Sequence, residues 1–227
     1  MRILAIDTSS KFLCLGVYDD GKIYEYNVET GKKLSGLITL TIERVLKALG
    51  LGVGDIDYFA VGLGPGSFTG MRVGASTIKG LSWVMKKPVI GISTLDIIAE
   101  NAAPTSNDVV PIIDAKRGLV YCAIYKKASG VIAKRKSPYL LLTFKELSCK
   151  LKANSLLFGD ACEVYRQDIL KDVKGAVILD KEHWYPKAHN IIKLALERQK
   201  AKKISNAFKI EPIYLYPKEC QIKIKNI

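Results

Sequence analysis

The first part of the chain contains three short apolar-rich segments separated by polar residues. They are ILAID, FLCLGVYD and KIYEYNV, all within residues 2–28. Asp19-Asp20-Gly21 lies between the second and third segments, and an Asp-Gly pair in this position is a strong hairpin signal. The pattern predicts three consecutive strands, the last two forming a hairpin.

Residues 34–49 follow a helical period instead. Their apolar side chains and one threonine recur every three or four residues, and Gly50 follows in a position suited to a helix C-cap. This pattern predicts an amphipathic helix. The periodic positions are Leu34, Leu37, Ile38, Thr41, Val45, Leu46 and Leu49.

Strands and helices then alternate. The strand IDYFAVGLG precedes the loop GPGSFTG, a helix over 70–85, the strand PVIGI and a helix over 94–101. The order βββαβαβα predicts a mixed sheet, because parallel strands need crossover helices.

The scheme partly repeats after a predicted linker, APTSND, at 103–108. VVPIID and GLVYCAIYK are predicted to pair, with a third strand near 131–134. We therefore predict two α/β domains, an N-terminal one over 1–104 and a smaller, basic one over 105–227. Asp7 and Asp114 end the first strand of each half. This arrangement resembles the actin, sugar-kinase and heat-shock ATPase superfamily, with its ribonuclease-H-like fold. The resemblance implies two similar subdomains with mixed sheets, the second reduced, and carboxylates facing a nucleotide cleft.

Composition limits the classes of protein. Of the 227 residues 48% are hydrophobic and 25% charged, as in globular domains. We find neither a signal-peptide pattern nor an apolar run of about 18 residues, so we expect a cytoplasmic protein without a membrane partner. The scattered cysteines, with no C-x-x-C pair, favour reduced thiols. They are Cys14, Cys122, Cys149, Cys162 and Cys220.

Positive charge is concentrated near the end of the chain. Residues 181–227 hold eleven Lys/Arg against four Asp/Glu, whereas residues 1–100 hold eleven against ten. Such clustering favours phosphate-bearing partners such as tRNA, although a solvated lysine-rich surface has the same composition.

The glycine-rich segment over 62–74 is the most informative motif. Gly64 and Gly66 can take positive φ and expose backbone N–H groups, and Ser67 or Thr69 can cap the next helix. Helix N-termini attract anions, but the spacing is neither that of a Walker loop nor that of a dinucleotide fingerprint. Our candidates for nucleotide or anion contact are Asp7, Ser9, Lys11, Gly64, Gly66, Ser67 and Asp114.

The same helix carries Gly70, Gly74 and Thr77 on one nearly flat face. This face could pack on the protein's own sheet or against another molecule. Trp83 and Val84 add more apolar surface than one sheet-facing stripe requires, which indicates a second buried face.

At this motif a family resemblance emerges. GPGSFTGMRVG is similar to the signature loop and helix of the TsaB (YeaZ) family. GISTLDIIAENA, IIDAKRGLVY, FGDA and EPIYLY resemble further landmarks of that family. The resemblance implies a bacterial, non-catalytic subunit that activates the complex forming threonylcarbamoyladenosine in tRNA. Its implied partners are the catalytic paralogue TsaD, the ATPase TsaE, a second copy of itself, and tRNA indirectly through the complex.

The residues agree with a non-catalytic role. The paralogue's metal-binding His-x-x-x-His helix is missing, since His183 and His189 are separated by five residues that include Pro186. Ser67 lacks a G-x-S-x-G elbow. We expect no tightly bound cofactor, with ATP and metal supplied through other subunits. The alternatives are an ATP-binding or metallopeptidase-like enzyme, and a direct tRNA-binding module using the basic C-terminal region.

We expect the helices at 34–49 and 70–85 to dock against the paralogue or a second copy. The sequence departs from the family at Leu34-Ser35-Gly36, where His-Ser-Glu is common, and at Tyr216, where Arg is usual. These departures affect the partner interface. The predicted interface residues are Leu37, Thr41, Val45, Gly70, Gly74, Thr77 and Leu81.

Overall fold

The computed structural model describes residues 1–30 and 33–217, and its first half is built on a five-stranded sheet. The strand order is β3-β2-β1-β4-β5. β1, β2 and β3 pair antiparallel, whereas β4 is parallel to both β1 and β5, as predicted for a mixed sheet. The strands are β1 (Arg2–Asp7), β2 (Phe12–Asp19), β3 (Lys22–Glu29), β4 (Tyr58–Gly62) and β5 (Val89–Ile92).

Two helices cover one face of this sheet, α1 (Leu34–Ala48) and α2 (Phe68–Met85). Leu34, Ile38, Ile42 and Leu46 form the buried stripe of α1 and join the apolar core beneath it. The short helix α3 (Thr94–Ala99) follows β5, so the predicted order βββαβαβα is confirmed. A 3₁₀ turn, Val53–Asp55, precedes β4.

The second sheet repeats the strand order of the first, as β10-β7-β6-β11-β12. Five of its seven strands follow this order, and β8 and β9 lie outside it. Several of the strands have only two to four residues, so the second unit is a reduced version of the first. Its elements are β6 (Thr105–Lys116), β7 (Leu119–Cys122), β8 (Tyr125–Lys127), β9 (Lys134–Arg135), β10 (Leu140–Thr143), α4 (Phe144–Ser148), β11 (Leu156–Phe158), α5 (Ala161–Asp172), β12 (Val177–Ile178) and a 3₁₀ turn Lys181–His183.

Two predictions for this half were wrong. Most of the expected linker at 103–108 belongs to β6, which begins at Thr105 and pairs there with β8. The third strand of the sheet is β10 instead of 131–134, because the segment that forms β9 pairs only with β8, away from the main order.

The chain returns to the first sheet near its end. Helix α6 (Ala188–Lys200) packs on the face opposite α1 and α2, where Ile191 and Ile192 contact the underside of β1 and β2. A Cβ at Gly16 would lie 2.9 Å from Ala188 Cβ and 2.8 Å from Ile192 Cδ1, so the close contact needs glycine there. The division at 104/105 stays a prediction, but α6 packs with the first sheet and corrects the assignment of all later residues to the second domain. Among the described residues, no helix is long and apolar enough to cross a membrane.

Candidate functional site

Asp7, at the end of β1, is fully buried and forms a closed hydrogen-bond network. Its Oδ1 accepts from Ser9 N at 2.8 Å and Ser9 Oγ at 2.7 Å, and its Oδ2 accepts from Thr94 Oγ1 at 2.6 Å. Burial raises the pKa of Asp7, against the lowering effect of these hydrogen bonds. The structure corrects the prediction of a ligand contact, since both oxygens already bond to protein donors away from solvent.

The glycine loop connects elements inside the protein. The N–H of Gly64 donates to Thr94 Oγ1 at 3.1 Å, and the N–H of Ser67 donates to Ser9 O at 2.7 Å. Gly64 has the predicted positive φ of 85° but is buried, so its proposed anion contact is also corrected. Gly66 is not among the glycines with positive φ; it is required because a Cβ would lie 2.5 Å from Ser9 O. Ser67 caps α2, as predicted, by accepting from Gly70 N.

An open cleft of about 630 Å³ lies between the two halves. Five of the residues predicted to contact a nucleotide or anion line this cleft, together with residues of β6 and of the C-terminal segment. The predicted residues that line it are Ser9, Lys11, Gly66, Ser67 and Asp114. Of the two carboxylates that were expected to face a nucleotide cleft, Asp114 lines this one, whereas Asp7 is fully buried and does not line it.

Asp114 instead lies beside Asp160, a residue that the sequence analysis did not select. The backbone N–H of Asp114 donates to Asp160 Oδ1 at 2.8 Å, and Lys116 Nζ bonds Asp114 Oδ2 at 2.5 Å. Burial, with a contribution from the charge of Asp114, raises the pKa of Asp160. The hydrogen bond to Asp114 raises the pKa of Lys116. The carboxylates are thus largely engaged by the protein itself.

One wall of the cleft is aromatic and basic. Tyr216 Oη donates to Ala115 O at 2.9 Å, which fastens the C-terminal segment across the second sheet. Arg72 Nε donates to Tyr214 Oη at 3.0 Å, and the Arg72 guanidinium lies 3.8 Å from the centre of the Phe68 ring. The contacts of Tyr216 with Ala115 and of Arg72 with Tyr214 join residues more than 100 positions apart, so no local pattern reveals them.

The predicted interface residues separate into two groups. Gly70 and Gly74 are buried against the loop after β1, where added Cβ atoms would lie 2.0 Å from Thr8 O and 2.2 Å from Thr8 Oγ1. Their flat face therefore packs on the protein itself, which corrects their assignment to an interface. The other five residues lie half-buried on outer flanks of α1 and α2, and we call them the helix-pair face: Leu37, Thr41, Val45, Thr77 and Leu81.

Comparisons with known proteins place the chain in a family. A family model described as TsaD, tRNA N6-adenosine threonylcarbamoyltransferase, matches residues 28–208. A Haemophilus influenzae protein named tRNA threonylcarbamoyladenosine biosynthesis protein TsaB is 30% identical over 225 residues, with 95% of this chain and 93% of the relative covered. The Escherichia coli protein of the same name is 29% identical, with 95% of this chain and 94% of that protein covered. The chain belongs to the TsaB family.

A solved structure has the same fold. The structure described as YeaZ from Pseudomonas aeruginosa matches with a TM-score of 0.83 at 22% identity, and the match covers 94% of this chain and 99% of that one. The predicted α/β architecture, with mixed sheets in two units of similar strand order, is confirmed.

The TsaB-family landmarks lie at structural junctions. GPGSFTGMRVG forms the tight passage from β4 into α2, and FGDA brings Asp160 to Asp114. At one departure from the family pattern, Tyr216 packs edge-on against Tyr121 at 6.1 Å between ring centres. At the other, Leu34 starts α1 and is buried.

The histidines and cysteines of this TsaB-family chain are dispersed. His189 Nδ1 lies 3.1 Å from Glu25 on β3, whereas His183 lies in the 3₁₀ turn. In the part of the chain that the structure describes, no three His, Cys, Asp or Glu side chains are placed to share a metal ion.

Burial raises the pKa of Cys122 and Cys162 to about 12. The four described cysteines are free thiols, and Cys220 lies outside the described residues.

Proposed function

We propose that this chain is a non-catalytic activating subunit of the complex that forms threonylcarbamoyladenosine in tRNA. The observation that carries this proposal is its near full-length similarity to proteins named for that biosynthesis. The engaged carboxylates of the cleft and the dispersed histidines support a role without chemistry of its own. ATP and metal would enter through other subunits, including a TsaE-like ATPase, and tRNA through the assembled complex.

The subunit would act by docking on a TsaD-like catalytic paralogue through the helix-pair face. α1 and α2 lie side by side on one face of the first sheet, and each keeps an incompletely covered flank. Leu40, 48% exposed, extends this surface on α1, and Val84, 68% exposed, extends it on α2. Two such helices from each partner would form an intermolecular bundle that buries on the order of 1,200–2,000 Å².

Docking would favour the paralogue's active conformation, since a partner that binds one state preferentially increases its population. A second copy of this chain could occupy the same face when the paralogue is absent. Homodimer and heterodimer would then compete for one surface.

The test compares two threonine substitutions on α1. Thr41 is half-buried in the helix-pair face, whereas Thr39 is exposed about 160° away around the helix. We expect Thr41→Arg to abolish co-elution with the paralogue and to reduce threonylcarbamoyladenosine formation in the reconstituted system at least ten-fold. Thr39→Arg introduces the same side chain and should leave both unchanged.

Circular dichroism and thermal melting should show that both variants fold like the wild type. If Thr41→Arg and Thr39→Arg had the same effect on co-elution and on threonylcarbamoyladenosine formation, the helix-pair face would not be the docking surface. Modification activity that does not require this chain would refute the proposed role.

A second candidate function is ligand binding by the chain alone. The cleft, with Arg117 6.0 Å from the centre of the Tyr216 ring and Lys116 beside Asp114, has room for a nucleotide-sized molecule. Calorimetric titration of the isolated chain with magnesium-ATP would detect it. Micromolar binding that Arg117→Ala abolishes would favour this candidate, as would substrate turnover by the chain alone.

A further inference from the structure

Two exposed aromatic side chains from distant parts of the chain meet beyond the end of α2. Trp83 is 66% exposed and Phe208 is 75% exposed, and their ring centres lie 6.4 Å apart at 68°. Ile204, 46% exposed, lies in the same C-terminal segment as Phe208. We call Trp83, Ile204 and Phe208 the aromatic patch.

The segment that carries Phe208 is held firmly on the protein. Ser205 pairs with Val89 at the edge of the first sheet through backbone hydrogen bonds of 2.8 and 2.9 Å. Ala207 and Ile210 are buried on either side of Phe208, and Asn206 Oδ1 accepts from the N–H of Phe208. The exposed ring therefore projects from an anchored turn.

The two segments that supply the patch are rich in cations. Residues 79–88 and 198–210, which supply it, contain eight Lys/Arg and no Asp/Glu. Lys86 caps the C-terminus of α2, while Lys203 and Lys209 are direct neighbours of Ile204 and Phe208. Five of the eight form no ion pair with any residue in 1–30 or 33–217. They are Lys79, Lys86, Lys202, Lys203 and Lys209.

The aromatic patch and the helix-pair face lie on different sides of α2. At 100° per residue, Trp83 points about 160° away from Leu81 and 120° away from Thr77. The two surfaces therefore face different directions around α2.

We propose that the aromatic patch binds single-stranded RNA, with unpaired bases stacked on Trp83 and Phe208 and phosphates contacted by the surrounding lysines. Exposed aromatic rings within a positively charged surface are the combination that binds single strands. Lysine is depleted in protein–protein interfaces, which disfavours a protein partner. Two rings and one isoleucine also present far less apolar surface than a helix that binds at a membrane interface, which disfavours a membrane as the partner.

This inference goes beyond the proposed function by giving the chain a direct RNA contact. Its test uses the chain alone, so either proposal can fail without the other. The chain has two tryptophans, and Trp184 is only 4% exposed, so emission changes on adding RNA report mainly on Trp83.

The experiment is a fluorescence titration with a 12-nucleotide oligouridine at several salt concentrations. We expect quenching of the wild type, and a loss of affinity of roughly 5- to 150-fold in Phe208→Ala, followed by anisotropy of labelled RNA. The double change Lys203→Gln with Lys209→Gln should reduce the slope of log affinity against log salt by about 1.4. A 12-base-pair RNA duplex should bind more weakly, because its bases are already stacked on each other.

Matched controls lie elsewhere on the protein. Tyr26→Ala removes an aromatic side chain, 44% exposed, from the opposite edge of the same sheet, and Lys150→Gln with Lys152→Gln removes two exposed cations from the second unit. Absence of quenching, or equal losses in patch and control variants, would overturn the proposal. Binding to phosphatidylserine vesicles without binding to RNA would overturn it too, as would self-association that Phe208→Ala abolishes.

Discussion

At the scale of single residues, glycines set how closely α2 approaches the rest of the protein. Gly74 lies against Thr8, a fully buried residue whose hydroxyl donates to Gly70 O at 2.7 Å. Gly80, in the same helix, is exposed with nothing within 4 Å of an added Cβ. Substitutions at the two glycines therefore distinguish a steric requirement for glycine, at Gly74, from the general effect of glycine on helix stability, at Gly80.

Gly74→Ala should therefore destabilise the protein by about 1–3 kcal/mol, the usual cost of overfilling a packed site. Gly80→Ala should stabilise it by up to about 1 kcal/mol, because alanine is the better helix former. Urea unfolding measures both. Equal effects would show that the contact with Thr8 does not constrain the helix.

The residue scale also shows where sequence reasoning about the site fell short. The sequence singled out Asp7 and the glycine loop, but the polar groups of both were predicted to contact a ligand. In the structure, Asp7 Oδ2 and the N–H of Gly64 instead bond to the same hydroxyl, that of Thr94. This contact was not predictable from local sequence, because Thr94 lies 87 positions after Asp7 and reaches it only through the turn between β5 and α3. Asp160 was missed for the same reason, since its position beside Asp114 is a tertiary contact across 46 residues.

At the scale of elements, local patterns predicted the first half well and the second half less well. The hairpin of β2 and β3 has a two-residue turn in which both Asp20 and Gly21 take positive φ, which is what the Asp-Gly signal encodes. Amphipathic periodicity likewise placed α1 to within one residue at its end. The third strand was predicted near β9 instead of at β10, because strands of two to four residues are too short to show a clear alternation of apolar and polar residues.

Three elements are tied together by a buried ion network around Glu100, just after α3. Its Oε2 lies 3.1 Å from Lys127 Nζ of β8 and 2.8 Å from Lys193 Nζ of α6. Burial alone would raise the pKa of Glu100, but the hydrogen bonds from Lys193 and Ala133 and the charge of Lys127 outweigh it and lower that pKa. The network therefore joins the second sheet to the helix that covers the first.

Glu100→Gln should lower the free energy of unfolding by about 3 kcal/mol at pH 7, because it leaves the buried Lys127 without its counter-ion. Since the folded-state pKa of Glu100 is lowered, its contribution is present above the ordinary value of 4.5 and is lost as the pH falls through the folded value. The difference between wild type and variant should thus shrink below about pH 4.

Chemical denaturation at a series of pH values checks this prediction. Glu163→Gln is the control, because Glu163 pairs with Lys181 at 2.7 Å on the exposed surface, and its unfolding midpoint should stay unchanged. A difference for Glu100→Gln that persisted at low pH would mean that packing, not charge, explains the loss.

At the scale of the whole molecule, the chain forms two related sheets joined by a returning helix. Repetition of the strand order was predictable from the order of segments, whereas the return of α6 was not, since an amphipathic helix does not specify which sheet it covers. The same limit applies to the aromatic patch, whose two rings are 125 positions apart in the sequence. Surfaces assembled from distant segments appear only once the fold is known.

The molecule therefore presents two separate outer surfaces on a fold whose internal polar groups are mostly engaged. We propose that the helix-pair face binds another protein and that the aromatic patch binds RNA. Together they describe a subunit that would bring partners together while a paralogue performs the chemistry.

The most direct test of this account is the mass of the species formed when the purified chain is mixed in equal amounts with the TsaD-like paralogue from the same genome. Analytical ultracentrifugation at micromolar concentration should show one species with the summed mass of one copy of each. Two species that sediment separately, with the masses of the free proteins, would contradict the account.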